Sequence, residues 1–179
     1  MRRFEPGATL RSSSAGLSLP ELLLTVAVLG LMALVSVGGG SRALARHRVE
    51  AATRQLALGL EQARAAAERS GQPCAVVLSS GGWAEPSAAD GVSELPPCNL
   101  PQASLEPGVR LRHNLPAALR ISSNGLVLDG GTVVLGAAAT DLQRCLVVSL
   151  PLGVVRIGRS TAAPGAVPRS VDCVVDPSL

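Results

Sequence analysis

Glu21 stands at the lip of 19 consecutive uncharged residues, 22–40, with the sequence LLLTVAVLGLMALVSVGGG. An unpaired carboxylate at the edge of hydrocarbon costs up to a few kcal/mol, so an acid in such a place needs a cation. The chemistry this offers is ion pairing. The other reactive side chains are Cys74, Cys98, Cys145 and Cys173, all downstream of the apolar run and none in a CxxC pair. The two histidines, His47 and His113, lie far apart in sequence, so there is no close ligand pair for a metal. An even cysteine count favours disulfides if this region is outside the cytoplasm. Four cysteines allow three connectivities. The favoured one joins Cys74 to Cys98, stapling a long loop, and Cys145 to Cys173, tying down the tail. Each closed loop of about 25 residues would contribute about 3 kcal/mol by loop entropy.

Composition removes several kinds of chemistry. All 16 positive side chains of the 179 residues are arginine, there is no tyrosine, and Phe4 and Trp83 are the only aromatics. A chain without lysine has no P-loop lysine and no Schiff base, and two aromatics make no stacking platform for single-stranded nucleic acid. No Ser/His/acid set, HExxH or phosphate loop is present. The expectation is a protein that is not an enzyme and needs no cofactor or metal. Charge is segregated: residues 71–109 hold four acids and no arginine, whereas 110–169 hold seven arginines and two acids. The overall +3 is largely set by the first 16 residues; without them 13 arginines face 12 acids, a balance of +1. Net charge is therefore no argument for a nucleic-acid partner.

These residues must be positioned by three kinds of segment. At 1.5 Å per residue the run 22–40 spans about 28 Å, enough for one membrane helix. The arginines before it (Arg2, Arg3, Arg11) and after it (Arg42, Arg46, Arg48) argue for opposite orientations. Residues 41–70 contain no proline and one glycine. In that stretch Val49, Ala52, Leu56, Leu60, Ala63 and Ala67 recur at steps of three and four, predicting an amphipathic continuation stopped by Gly71 and Pro73. Beyond it, short β-like runs at 75–79, 109–113, 118–122, 132–135, 145–150 and 154–157 alternate with turn residues. The stretch 81–108 reads as a long loop with Trp83 as a packing plug at its base. The predicted class is α+β, a long N-terminal helix packed on an antiparallel sheet.

The segment Gly16-Leu17-Ser18-Leu19-Pro20-Glu21-Leu22-Leu23-Leu24 resembles the processing site of type IV prepilins and type II secretion pseudopilins. The resemblance implies cleavage after Gly16 by a prepilin peptidase and N-methylation of Leu17. Glu21 becomes the fifth residue of the mature chain, where it would pair with the new ammonium of a neighbouring subunit during assembly. Leu17 stands where the family usually has Phe, and Pro20 where it has an aliphatic residue. Proline is tolerated in a first helical turn because its missing N–H would have no partner there. Two other readings of the run are a Sec signal cut near Ala43-Leu44-Ala45 and a plain anchor; Arg42 and Glu21 count against the first.

Three further patterns look like the head of GspH/FimT minor pseudopilins: Leu60-Glu61-Gln62-Ala63-Arg64, Ile121-Ser122-Ser123-Asn124-Gly125, and Cys145-Leu146-Val147-Val148-Ser149 followed by Gly153-Val154-Val155-Arg156. The organisation this implies is a cytoplasmic leader 1–16, a transmembrane and polymerisation helix 17–40, a helical stalk 41–70 and a β-rich periplasmic head 71–179. The function implied is that of a minor pseudopilin in a periplasmic pseudopilus of a type II secretion system. Its implied place is the inner membrane, single-pass, and the pilus or pseudopilus after assembly. Its partners would be the prepilin peptidase, other pilin subunits and the inner membrane. One alternative is a FimT-like minor pilin that binds DNA for natural transformation, with Arg156 and Arg159 as contacts. A second, of another class, is an unrelated membrane-anchored periplasmic domain.

Overall fold

The computed structural model describes residues 18–86, 94–101 and 104–176, leaving aside the side chains of 34–39. Its first element is the helix α1, Leu19–Ser70. Good helix formers carry it, and its end is set by Gly71, which takes φ +65° and donates its N–H to the Ala67 carbonyl at 2.9 Å. That left-handed closure satisfies one of the last carbonyls and suits glycine. The chain divides into two compact units, residues 1–39 and 40–179.

In the first unit the described side chains after Glu21 are almost all apolar and are exposed on every side of the helix, among them Leu22, Leu23, Leu24, Val26, Leu29, Leu31 and Met32. A helix apolar all round belongs in a protein core or in lipid. Among the described residues, however, no helix is long and apolar enough to cross a membrane. The expectation of a spanning helix over 17–40 therefore does not rest on what is described.

The second unit joins the rest of α1 to two antiparallel sheets. Its strands are β1 (Cys74–Ser79), β2 (Gly82–Ala84), β3 (Val109–His113) and β4 (Leu119–Ile121). They continue with β5 (Gly131–Ala137), β6 (Gln143–Ser149), β7 (Val154–Ser160) and β8 (Cys173–Val174). The smaller sheet has the order β2-β1-β4 and the larger β3-β5-β6-β7-β8. The helical stripe expected from the sequence is the buried one: Val49, Ala52, Leu56, Leu60, Ala63 and Ala67 are all within 1% of full burial. They pack with Val76, Leu119 and Ile121 of the small sheet and Val133, Leu135, Leu146 and Val148 of the large one. Residues of the stalk, 41–70, and of the head thus share one core, as the expected packing of helix on sheet requires.

Side chains alternate across β6. Leu146 and Val148 face the helix, while Cys145 and Val147 join Val134 and Cys173 in a smaller cluster on the reverse face. The stretch expected as a loop over 81–108 also needs correcting. It contains β2, which pairs Trp83 with Leu78 and Ala84 with Val77, and Pro97 bridges to Ala75. Residues 87–93 and 102–103 of that stretch lie outside the described residues.

Candidate functional site

Of the expected processing and assembly residues, Gly16 and Leu17 lie outside the described residues. Glu21 is in the first turn of α1 and exposed, a position where the helix dipole favours an acid. Among the described residues no arginine pairs with it. The turn is closed by the Leu22 N–H donating to the Ser18 carbonyl at 3.1 Å and the Thr25 hydroxyl donating to the Leu22 carbonyl at 2.9 Å. The carboxylate is thus presented on a helix whose neighbours are exposed leucines.

A second site is built where the three head patterns meet. Arg64 projects from α1 and donates from Nε to the Gly125 carbonyl at 2.8 Å. Its Nη1 reaches Glu61 Oε1 at 3.2 Å. Gly125 closes a tight turn at φ +71°, its N–H donating to the Ser122 carbonyl at 2.9 Å, while the Ser122 hydroxyl accepts from the Leu126 N–H at 3.0 Å. A Cβ on Gly125 would collide with the Glu68 carboxylate. Gly153, in the β6–β7 turn, has φ +64°, and a Cβ there would strike Val127 and approach Arg64 Cδ at 3.6 Å. The guanidinium therefore joins the helix to the Asn-Gly turn, and the β6–β7 turn lies close against Val127 and the Arg64 stem. The arrangement ties the helix to its sheets.

Trp83 lies on β2 and plugs the helix from the other side. Its indole Nε1 donates to the Leu56 carbonyl at 2.8 Å, and its ring occupies the space a Cβ on Gly59 would need. The cysteines pair as Cys74–Cys98 and Cys145–Cys173. The second pair fastens β8 and the tail to the reverse face of the large sheet. Among the described residues no group of three His, Cys, Asp or Glu side chains is arranged to hold a metal.

The arginines of the basic half do not form one surface. Arg156 pairs with Val147 across the β6–β7 ladder and Arg159 with Arg144, three residues further along. An odd spacing on a strand puts the two side chains on opposite faces, so Arg156 and Arg159, expected together as DNA contacts, are not brought together. Arg156 also donates to the Ser170 carbonyl at 3.3 Å. Arg112 donates to the Ala166 carbonyl and the Gln143 side chain. Arg120 holds Asp129 in a two-pronged pair, both at 2.9 Å, and this hydrogen bonding keeps the Asp129 carboxyl below the usual range against the opposing pull of burial.

Arg144 was not singled out from the sequence. Its side chain is 3% exposed and reaches Glu50 on α1 at 3.2 Å and Asp176 in the tail at 2.6 Å, tying three parts of the chain together. Its Nε has no partner among the described atoms. Only its place in a run of buried β6 residues could have hinted at this.

A profile of the family described as type II transport protein GspH matches residues 52–151, 100 of the 179. The match takes in Gly59, Arg64, Gly125 and the whole of β1 to β6. No curated protein and no solved structure matches the chain.

Proposed function

The chain belongs to the GspH family of type II transport proteins, and from that premise we propose that it works as a minor pseudopilin of a type II secretion system. The family match supports a pseudopilin-like role among other pseudopilin subunits. The finer reading is that the chain is a precursor cut after Gly16 by a prepilin peptidase and methylated on Leu17. Residues 17–40 then anchor it in the inner membrane with the head in the periplasm, and Glu21 pairs with the N-terminal ammonium of a neighbour as helices stack. Pairing makes the burial of such a carboxylate tolerable.

The observation that carries this reading is the family match over the segments that converge on Arg64. It is supported by the exposed apolar side chains on every side of the helix next to Glu21. The work proposed is mechanical: a rigid head, locked to the helix by Arg64 and Trp83, moves with the filament. No catalytic step is assigned to it.

The test is deletion of the gene, with complementation. Loss of protein export across the outer membrane with unaltered uptake of transforming DNA supports secretion. The opposite pattern overturns it in favour of a transformation pilin.

A further inference from the structure

Three arginines, Arg42, Arg46 and Arg48, crowd the start of the second unit with no acid among residues 40–49. Arg42 and Arg46 are exposed and Arg48 is half-buried. The nearest acid, Glu50, is shared: it lies 3.2 Å from the buried Arg144 and makes a longer pair, 3.8 Å, with Arg46. Among the described residues Arg42 and Arg48 make no ion pair, and Arg46 has only the longer one to Glu50.

The geometry of the three limits what they can bind. The helix buries Ala45 and Val49, and successive residues turn by about 100°. Arg42 and Arg46 then flank the buried stripe on one side and Arg48 on the other, with Leu44 pointing outward, 52% exposed. The three cations span about 9 Å along the axis. The three guanidiniums therefore straddle the buried stripe over about 160° of the helix circumference, so a charged layer level with this stretch of helix meets both flanks at once, whereas a rod-like polyanion such as duplex DNA would meet one flank of this collar. The collar begins two residues after the apolar run that ends at Gly40.

We infer that Arg42, Arg46 and Arg48 form a binding collar for anionic phospholipid headgroups at the surface from which the head emerges. This rests on the membrane reading of residues 17–40 given above. Arginine suits the role, since its fork takes a phosphate in two-pronged fashion and its stem can lie along the acyl boundary beside Leu44. Such a collar also accounts for three arginines on the far side of the membrane, against the usual cytoplasmic bias. They would hold the unassembled subunit upright by its headgroups.

The test uses the full chain reconstituted in phosphatidylcholine vesicles doped with spin-labelled phosphatidylglycerol or phosphatidylcholine, reading the motionally restricted lipid component. The expected result is a severalfold preference for phosphatidylglycerol. It should fall to near one in Arg42→Gln/Arg46→Gln/Arg48→Gln, and on raising ionic strength from about 0.1 to about 1 M, which shortens the screening length from ~10 to ~3 Å. Arg110→Gln, exposed and elsewhere on the head, should keep the preference. A wild-type ratio near one, or a triple variant that keeps the preference, overturns the collar while leaving the anchor standing. Absence of any restricted lipid overturns the membrane reading itself. A ratio near one with salt-sensitive retention of a DNA duplex on the same vesicles assigns these arginines to nucleic acid instead.

Discussion

Arg64 and Gly125, 61 residues apart, are joined by a single charge-assisted hydrogen bond from the guanidinium Nε to the glycine carbonyl at 2.8 Å. Such bonds contribute about 1.5–3 kcal/mol, and here one bond couples the helix to the turn that carries the small sheet's edge. Arg64→Ala should lower stability by about 1.5–3 kcal/mol. Gly125→Ala should be at least as damaging, since φ is +71° and the Glu68 side chain fills the space. Urea unfolding of the wild type and both variants checks this. A Gly125→Ala variant of unchanged midpoint would show that the turn is not constrained as described.

Gly59 offers a test in which two principles oppose each other. Alanine is the better helix former by about 1 kcal/mol, so helix propensity alone predicts stabilisation. The indole of Trp83 lies where the new methyl would go, and overpacking costs about 1–3 kcal/mol. Gly59→Ala should therefore destabilise in thermal unfolding, and less so in a Trp83→Leu background. A stabilised single variant would contradict the packing.

The helical stripe was legible because its spacing alone declares a face: Val49, Ala52, Leu56, Leu60, Ala63 and Ala67 all turned out buried. The six longer β-like runs were legible because turn residues bound them. β2, three residues set among Gly, Ser and Pro, offers no apolar run, which is why 81–108 read as loop throughout, and β8, with two residues, is too short to register. The Gly59–Trp83 contact could not be read, because a helix glycine and a loop tryptophan 24 positions on declare nothing about meeting. Arg144 could not be set apart from the other arginines of 110–169 because Cys145-Leu146-Val147-Val148 is apolar on both faces and hides which side the arginine takes.

Arg144 also makes a prediction of opposite outcomes. Glu50→Gln with Asp176→Asn leaves the guanidinium buried without a counter-charge, which costs about 3–5 kcal/mol, whereas Arg144→Met replaces it by an apolar stem at much smaller cost. Chemical denaturation of the two variants should rank them in that order. The reverse ranking would mean that the two acids are not what holds the arginine in place.

Asp129 supplies a pH dependence with a definite sign. Hydrogen bonding to Arg120 lowers its folded pKa below the ordinary carboxylate value. The stabilisation is therefore present above the unfolded value of about 3.9 and is lost as pH falls through the lowered folded value. Asp129→Asn should differ from wild type in denaturation midpoint at pH 7, with the gap closing as the pH is taken below about 3.9. A gap that stays constant across this window would show that the pair contributes nothing by ionisation.

The central claim is that residues 1–16 are removed and that the chain begins its working life at Leu17, four residues before Glu21. The intact mass of the protein purified from cells that also make a prepilin peptidase tests it most directly. The account predicts a chain of residues 17–179 carrying one additional methyl group on its N-terminal amine. A chain still beginning at Met1, or one beginning at Arg46 after signal-peptide cleavage, would contradict it.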